Sequence, residues 1–207
     1  MAKPKAPKPG SKGGARSKSK QASRARASAQ GSRRWPFAVA LGAVVALGVA
    51  LVVLSAGGDE EAVAPPGVQS FDVASADHVD AAVTYPQIPP VGGDHNAVWQ
   101  NCGYYPQPIV TEMGVHSMEH GAVWITYRPD LAEDEVDVLR GRAGSYVLVS
   151  PWAEGLPSPV VASAWGSQLP LDSASDPALG AFIDTFRQGP QTPEPGAACR
   201  GGAGQPE

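Results

Sequence analysis

The part of the chain after position 120 predicts an α+β fold: a small sheet with two helices on one face, in the order strand, helix, strand, strand, helix. Short runs rich in Val, Ile and aromatic residues, which favour strands, alternate with two segments of helical periodicity. Ahead of them, residues 83–110 contain eight Pro and Gly residues. These predict a fixed loop region, with a short strand at residues 83–85, because Pro breaks both ladders and helices.

The predicted regular elements begin with a strand-helix-strand unit. Residues 122–127 (AVWITY) form a strand that the following Pro ends. A helix is predicted over residues 131–142, because Asp130 can cap it and the acidic residues of its first turn suit the positive helix end. Residues 146–150 (YVLVS) form the next strand. Such a unit normally makes its two strands parallel through a right-handed crossover.

One more strand and one more helix complete the predicted domain. Residues 159–165 (PVVASAW) predict a strand that joins the sheet by a hairpin. A helix is predicted over residues 177–187, with Asp176 as its cap and Pro177 at its first position. Its apolar face consists of residues at helical spacing: Leu179, Phe182, Ile183 and Phe186.

The N-terminal residues predict a membrane anchor. Residues 1–34 hold eleven Lys or Arg and no acidic residue, so we expect a disordered, basic, cytoplasmic tail. Residues 35–56 are an uncharged apolar run of 22 residues, and about 20 suffice to cross a bilayer as a transmembrane helix. Because positive flanks stay inside, the chain is predicted to be a single-pass protein of the cell membrane. A cleaved signal peptide is the alternative, but its apolar core would be shorter.

Beyond the apolar run, the sequence divides into a linker, a domain and a tail. We expect a linker at residues 57–76, an extracytoplasmic globular domain at residues 77–199 and a flexible C-terminus at residues 200–207. All 20 acidic residues but only five of the 16 basic ones lie after position 56, a formal net charge of −15. So acidic a surface disfavours nucleic acid as a partner. The membrane is the predicted partner, and the sequence names no partner protein.

Both cysteines of the chain, Cys102 and Cys199, lie in the predicted outer domain. In an oxidising compartment such a pair predicts a disulfide. The bond would tie the C-terminal part of the domain back to its middle. A thiolate metal ligand at Cys102 is the alternative.

The four histidines all lie between positions 78 and 120, and the other 164 positions have none. Neutral imidazole is the commonest metal ligand in proteins. We therefore predict a transition-metal site, for copper or zinc, formed by His95, His116 and His120. His78 or Glu119 would complete the ligand set.

Two further features bear on the metal and its chemistry. Met113 and Met118 lie in the same stretch, and their soft donors would favour Cu(I). His116-x-x-Glu119-His120 spells the inverted zinc-peptidase motif, in which the Glu is the general base. That motif belongs on a stable helix, whereas here a Gly and a β-rich run follow at once. A metal-dependent hydrolase is therefore only the third hypothesis.

The second hypothesis belongs to a different class, an envelope protein-interaction module without catalysis. In it the histidines are structural, because buried imidazoles commonly hydrogen-bond to backbone groups. No catalytic residue is assigned under either of the first two hypotheses.

Several strings together resemble one bacterial family. They are Tyr85, Pro89-Pro90-x-Gly92-Gly93-x-His95, Gly103-x-Tyr105 and Val115-His116-Ser117-Met118-Glu119-His120-Gly121-Ala122-Val123. Residues 76–199 resemble the domain of unknown function 3105, with departures at Gly92 and Met118. The resemblance implies a short cytoplasmic tail, one membrane helix and then the domain. It also implies that His95, His116, Glu119 and His120 matter, and it implies no activity.

Overall fold

The computed structural model describes residues 63–207, and within them the fold is a mixed sheet with three helices. The strands are β1 (Gln69–Ser70), β2 (Gly103–Tyr104), β3 (Val123–Tyr127), β4 (Val147–Pro151), β5 (Val160–Ala164) and β6 (Ser167–Leu171). The helices are α1 (Thr111–Glu119), α2 (Glu133–Arg140) and α3 (Pro177–Phe186). The predicted α+β class is confirmed.

The predicted tail at residues 1–34 and the predicted transmembrane helix at residues 35–56 lie outside the described part of the chain. Among residues 63–207, none of the helices has the length and apolar character needed to cross a membrane.

The sheet has the strand order β1-β6-β5-β3-β4-β2. Strands β3 and β4 are parallel neighbours in the sheet, and α2 lies between them in the sequence, so the predicted parallel pairing is confirmed. The predicted hairpin is misplaced, because β5 pairs antiparallel with β3 and forms its hairpin with β6. The free edge of β4 is instead occupied by β2, which runs parallel to it.

Both faces of β3 are buried, which accounts for a sequence that does not alternate between apolar and polar residues and in which only Thr126 is clearly polar. Val123, Ile125 and Tyr127 face a core that α2 and α3 cover. The helix residues in that core are Leu139, Leu179, Phe182 and Ile183. The placement of two helices on one face is therefore confirmed. Trp124 faces the other way, into a second core.

Helix α1 packs on the opposite face of the sheet and was not predicted. Its Val115 and Met118 are fully buried in the core that contains Trp124. No side chain caps its N-terminus, so the usual start signal is missing. It ends at Glu119, and Gly121, with a φ of +93°, lets the chain turn directly into β3. The expectation that Gly and a β-rich run exclude a helix here was therefore wrong, because a turn and a strand fit immediately behind it.

Three other segments differ from their expected structure. No strand forms at residues 83–85. Strand β1 lies within the expected linker and pairs with β6. Within residues 200–207, Ala203 donates to the Trp99 carbonyl at 2.8 Å, and Glu207 donates to the Tyr104 carbonyl at 3.0 Å. The C-terminal residues thus run along the edge of the sheet at β2.

The close approach of α1 to the sheet gives a stability prediction. A Cβ at Gly114 would lie 2.7 Å from the buried Trp124 ring, so we expect Gly114→Ala to destabilise the fold by about 1–3 kcal/mol through overpacking. The matched control is Gly180→Ala in α3, where the nearest atom would be the Arg142 guanidinium at 3.8 Å. That change should stabilise by about 0.5–1 kcal/mol through helix propensity. Urea denaturation of both variants checks the opposite signs, and a neutral Gly114→Ala would contradict the packing.

Candidate metal centre

Four side chains from three parts of the chain converge on one point. His78, His95, His116 and Glu119 each offer one ligand atom, and these atoms lie within 4.8 Å of one another. His95, His116 and Glu119 are buried, whereas the His78 side chain is 48% exposed. The group therefore lies just below the surface, with His78 on its solvent side.

A short parallel bridge holds His78 beside His95. The His95 N–H donates to the Asp77 carbonyl at 3.0 Å, and the Val79 N–H donates to the His95 carbonyl at 2.7 Å. The neighbouring Asp94 carboxylate accepts from the Ser75 hydroxyl and the Asp77 N–H. These bonds hold the pKa of Asp94 below its usual value. The loop thus fixes the backbone of both histidines.

Helix α1 supplies the other half of the cluster. His116 lies in its last turn, Glu119 is its last residue and His120 is its C-cap. Positions four apart on a helix share a face, so His116 and His120 face the same way, with their ring centroids 4.5 Å apart. The opposite face of the helix packs on the sheet through Val115 and Met118.

The three buried histidines share one hydrogen-bonding arrangement. Nδ1 of His95 donates to the Gly93 carbonyl at 2.7 Å, and Nδ1 of His116 donates to the Asn96 carbonyl at 2.6 Å. Nδ1 of His120 donates to the Ala198 carbonyl at 2.7 Å. A carbonyl can only accept, so each Nδ1 carries the proton and each neutral ring keeps its lone pair on Nε2. Metal-ligating histidines have this arrangement.

The Nε2 atoms face groups that also lack a proton to donate. Nε2 of His116 and Nε2 of His120 lie 2.9 Å apart. Nε2 of His95 lies 2.9 Å from the Glu119 carboxylate, and Nε2 of His78 lies 3.7 Å from it. For the three buried rings, facing lone pairs 2.9 Å apart repel unless a proton or a metal ion lies between them. The tautomer of His78 is not fixed by such a hydrogen bond, so its ring can donate to Glu119.

The electrostatics of His116 favour its neutral form. Burial lowers the pKa of His116 below its usual value, and the charges of its three histidine neighbours act in the same direction. The hydrogen bond to the Asn96 carbonyl opposes this shift. The neutral ring that a metal needs is thus the favoured form at neutral pH.

The structure brings four of the five sequence-predicted ligands into one group and places the fifth, His120, beside it. Sequence reasoning missed Glu194, whose carboxylate lies 3.5 Å from Nε2 of His120. Met118 is fully buried against the sheet, so it is not available to the cluster. The donor set of the group is therefore three imidazoles and one carboxylate, without sulfur.

The zinc-peptidase motif does lie on a helix, which removes the original argument against it. However, Glu119 points at His95, and its carboxylate oxygen lies 2.9 Å from that ring. In the peptidase motif the Glu is the general base, whereas here it lies among the candidate ligands. The arrangement supports ion binding more directly than proton abstraction.

The predicted disulfide between Cys102 and Cys199 is confirmed, with the two Cα atoms 5.4 Å apart. A thiolate ligand at Cys102 is thereby excluded in the oxidised protein. The bond has a direct effect on the cluster, because Cys199 follows the residue whose carbonyl orients His120. The disulfide therefore holds one of the backbone groups that fix the histidine tautomers.

Residues 78–201 match the family described as protein of unknown function, DUF3105. The chain belongs to this family. No curated protein and no solved structure shows significant similarity to it. The family match covers all four histidines, Glu119, Glu194 and both cysteines, so the cluster and the disulfide lie within the family domain.

The disulfide gives a second stability prediction. It joins residues 97 positions apart, and a loop of that length is worth about 4–5 kcal/mol in the chain-entropy model. We expect the Cys102→Ala/Cys199→Ala double variant to lose about that much free energy of unfolding in urea. Wild-type protein in a thiol reductant is the control and should unfold at the same urea concentration as the variant. A variant as stable as the oxidised protein would contradict the prediction.

Proposed function

We propose that this protein is a metal-binding protein whose ion is held by His78, His95, His116 and Glu119. The observation that carries the proposal is the convergence of these four donors within 4.8 Å, three of them buried. Donor atoms bound to one ion at about 2 Å lie at most about 4 Å apart. Small side-chain adjustments would therefore bring all four onto one ion.

A purely structural role explains the cluster less well. A structural histidine pairs its donor with an acceptor and its acceptor with a donor. Here the acceptor nitrogens of His116 and His120 face each other at 2.9 Å. That contact costs free energy when both rings are neutral, and an ion bound at Nε2 of His116 would engage one of the two facing lone pairs. The interaction-module hypothesis offers no such partner.

The donors favour a borderline divalent ion, zinc or Cu(II). Imidazole and carboxylate suit both, whereas Cu(I) prefers thiolate and thioether ligands. The fully buried Met118 does not supply such a ligand. The half-exposed His78 leaves one side of the group open to solvent, so an ion has a path of entry.

The domain is further proposed to lie outside the cytoplasm, on a single-pass anchor at residues 35–56. The disulfide supports an oxidising compartment. The apolar run and its eleven preceding basic residues support an anchor with the N-terminus in the cytoplasm. The membrane would then be one partner of the chain.

The metal proposal is tested on the purified full chain in detergent, by equilibrium dialysis against zinc or Cu(II) followed by elemental analysis. Residues 1–58 contain no His, Cys, Asp or Glu, so they contribute none of these ligands. We expect bound metal at neutral pH, and we expect Glu119→Gln and His78→Ala each to weaken binding by at least about tenfold.

The matched control for this measurement is Glu112→Gln. Glu112 is a carboxylate on the same helix, and it accepts a hydrogen bond from the Val83 N–H that an amide oxygen also accepts. The metal affinity of the Glu112→Gln variant should equal that of the wild type. Absence of bound metal in the wild type, or an equal loss in the control, would sink the proposal.

The placement of the domain has its own test. In intact cells that express the chain, we expect an external protease to remove a C-terminal epitope and to spare an N-terminal one. The protein should remain in the membrane pellet after an alkaline carbonate wash, because a spanning helix is extracted only by detergent. Release by carbonate, or protection of the C-terminal epitope, would contradict the anchor or its orientation.

A further inference from the structure

A second set of donors lies on the other side of His116. It consists of Nε2 of His116, Nε2 of His120 and the carboxylate of Glu194. The two ring nitrogens are 2.9 Å apart, and the Glu194 oxygen lies 3.5 Å from Nε2 of His120. Two histidines and one carboxylate are a common ligand set for zinc.

The backbone fixes Glu194 in this position, although its side chain is 54% exposed. The Glu194 N–H donates to the Glu119 carbonyl at 3.1 Å. Two residues further on, the Gly196 N–H donates to the side-chain oxygen of Gln188, whose amide in turn donates to the His120 carbonyl. The segment that carries Glu194 is thus attached directly to the end of α1.

An aromatic side chain closes part of the same region. The ring of Trp99 lies 5.1 Å from the ring of His120 and 5.8 Å from that of His116. It excludes water from one side of the pair, which strengthens electrostatic interactions there. On the other side of the cluster, Trp165 lies 6.0 Å from the ring of His95.

The allocation of His116 decides how many ions the cluster holds. Its Nδ1 is bonded to a backbone carbonyl, so its single free lone pair can serve only one ion. His78, His95 and Glu119 remain as three donors if His116 joins His120 and Glu194. Six side chains then divide into two sets of three.

We propose that the cluster is a two-metal centre, with one divalent ion on His78, His95 and Glu119 and a second on His116, His120 and Glu194. This inference rests on the proposed function and revises it at one position, because His116, counted there among the ligands of the single ion, becomes a ligand of the second ion. The rings of His78 and His95 lie 4.8 Å and 4.9 Å from that of His116. Such contact between the sets fits ions about 3.5–4 Å apart, as in known two-metal sites.

The competing arrangement has a proton in place of the second ion. His120 would then be an imidazolium that donates to His116 and pairs with Glu194. The two arrangements differ in the amount of zinc bound, because the proton arrangement leaves a single metal position. Zinc stoichiometry therefore separates them.

The test is zinc stoichiometry on the full chain in detergent, by dialysis and elemental analysis at neutral pH. Wild type should hold two equivalents. Glu194→Gln, a surface substitution that preserves the backbone contacts, should hold one, and so should His120→Gln. The control Glu154→Gln replaces an exposed carboxylate distant in sequence from the cluster and should hold two.

The outcomes distinguish the two proposals. One equivalent in wild type, unchanged by Glu194→Gln, would overturn the second ion and leave the proposed function intact. Two equivalents retained in Glu194→Gln would overturn its role as a ligand and with it this assignment. No bound zinc in wild type would remove both proposals.

Discussion

The contact between Gly114 and Trp124 is the constraint on which the cluster depends. Because Gly114 has no side chain, α1 can lie directly on the Trp124 ring, with Val115 and Met118 buried on the same side. A short helix without a capping side chain has little stability of its own. Packing on the sheet therefore supplies most of what holds α1, and α1 supplies half of the four candidate ligands, His116 and Glu119. A shift of the helix would move these ligands together.

Two loop segments supply the remaining ligands and the carbonyls that orient the histidines of the cluster. The segment that carries His95 and Asn96 supplies one imidazole and the carbonyl that orients His116. The segment that ends at Cys199 supplies Glu194 and the carbonyl that orients His120. Each segment is tied down elsewhere, the first by the bridge at His78 and the second by the disulfide. The tautomers of the histidines are thus set by backbone groups, which side-chain substitutions in the loops leave in place.

Patterns within single elements predicted the sheet-and-helix unit correctly. The Val and Ile content of β3 to β5 and the apolar face of α3 are visible within short windows of sequence. The faces that these patterns mark as apolar are the faces that the fold buries. Strand β6 (SQLPL) was not predicted because its Ser, Gln and Pro residues interrupt the apolar run that predicts a strand, although it is paired along its whole length with β5. Helix α1 was not predicted because its stability comes from contacts with the sheet, and a local pattern of residues does not reveal such contacts.

The candidate metal ligands, like the strands and helices, could be predicted only where the signal is local in the sequence. The crowding of four histidines into 43 positions is visible in the sequence, and so is the spacing of His116 and His120. Glu194 lies 74 positions beyond His120 in a stretch rich in Pro and Gly, and nothing local marks it. One signal did exist: a bond from Cys102 to Cys199 returns the C-terminal stretch to the middle of the domain. The carboxylate just before Cys199 could have been sought there.

The charge balance of the cluster finally explains why an ion is a better occupant than a proton. Glu119 is a buried carboxylate, and taking such a charge out of water costs several kcal/mol unless it is paired. A neutral His95 cannot pair with it, because its one proton is donated to the Gly93 carbonyl. A divalent cation satisfies the carboxylate and the facing lone pairs at the same time, whereas a single proton satisfies one contact. The acidic domain around it, with a formal net charge of −15 beyond position 56, raises the local concentration of cations. The same field would repel anions, so a metal bound here would take a further ligand that is neutral or that the ion itself attracts.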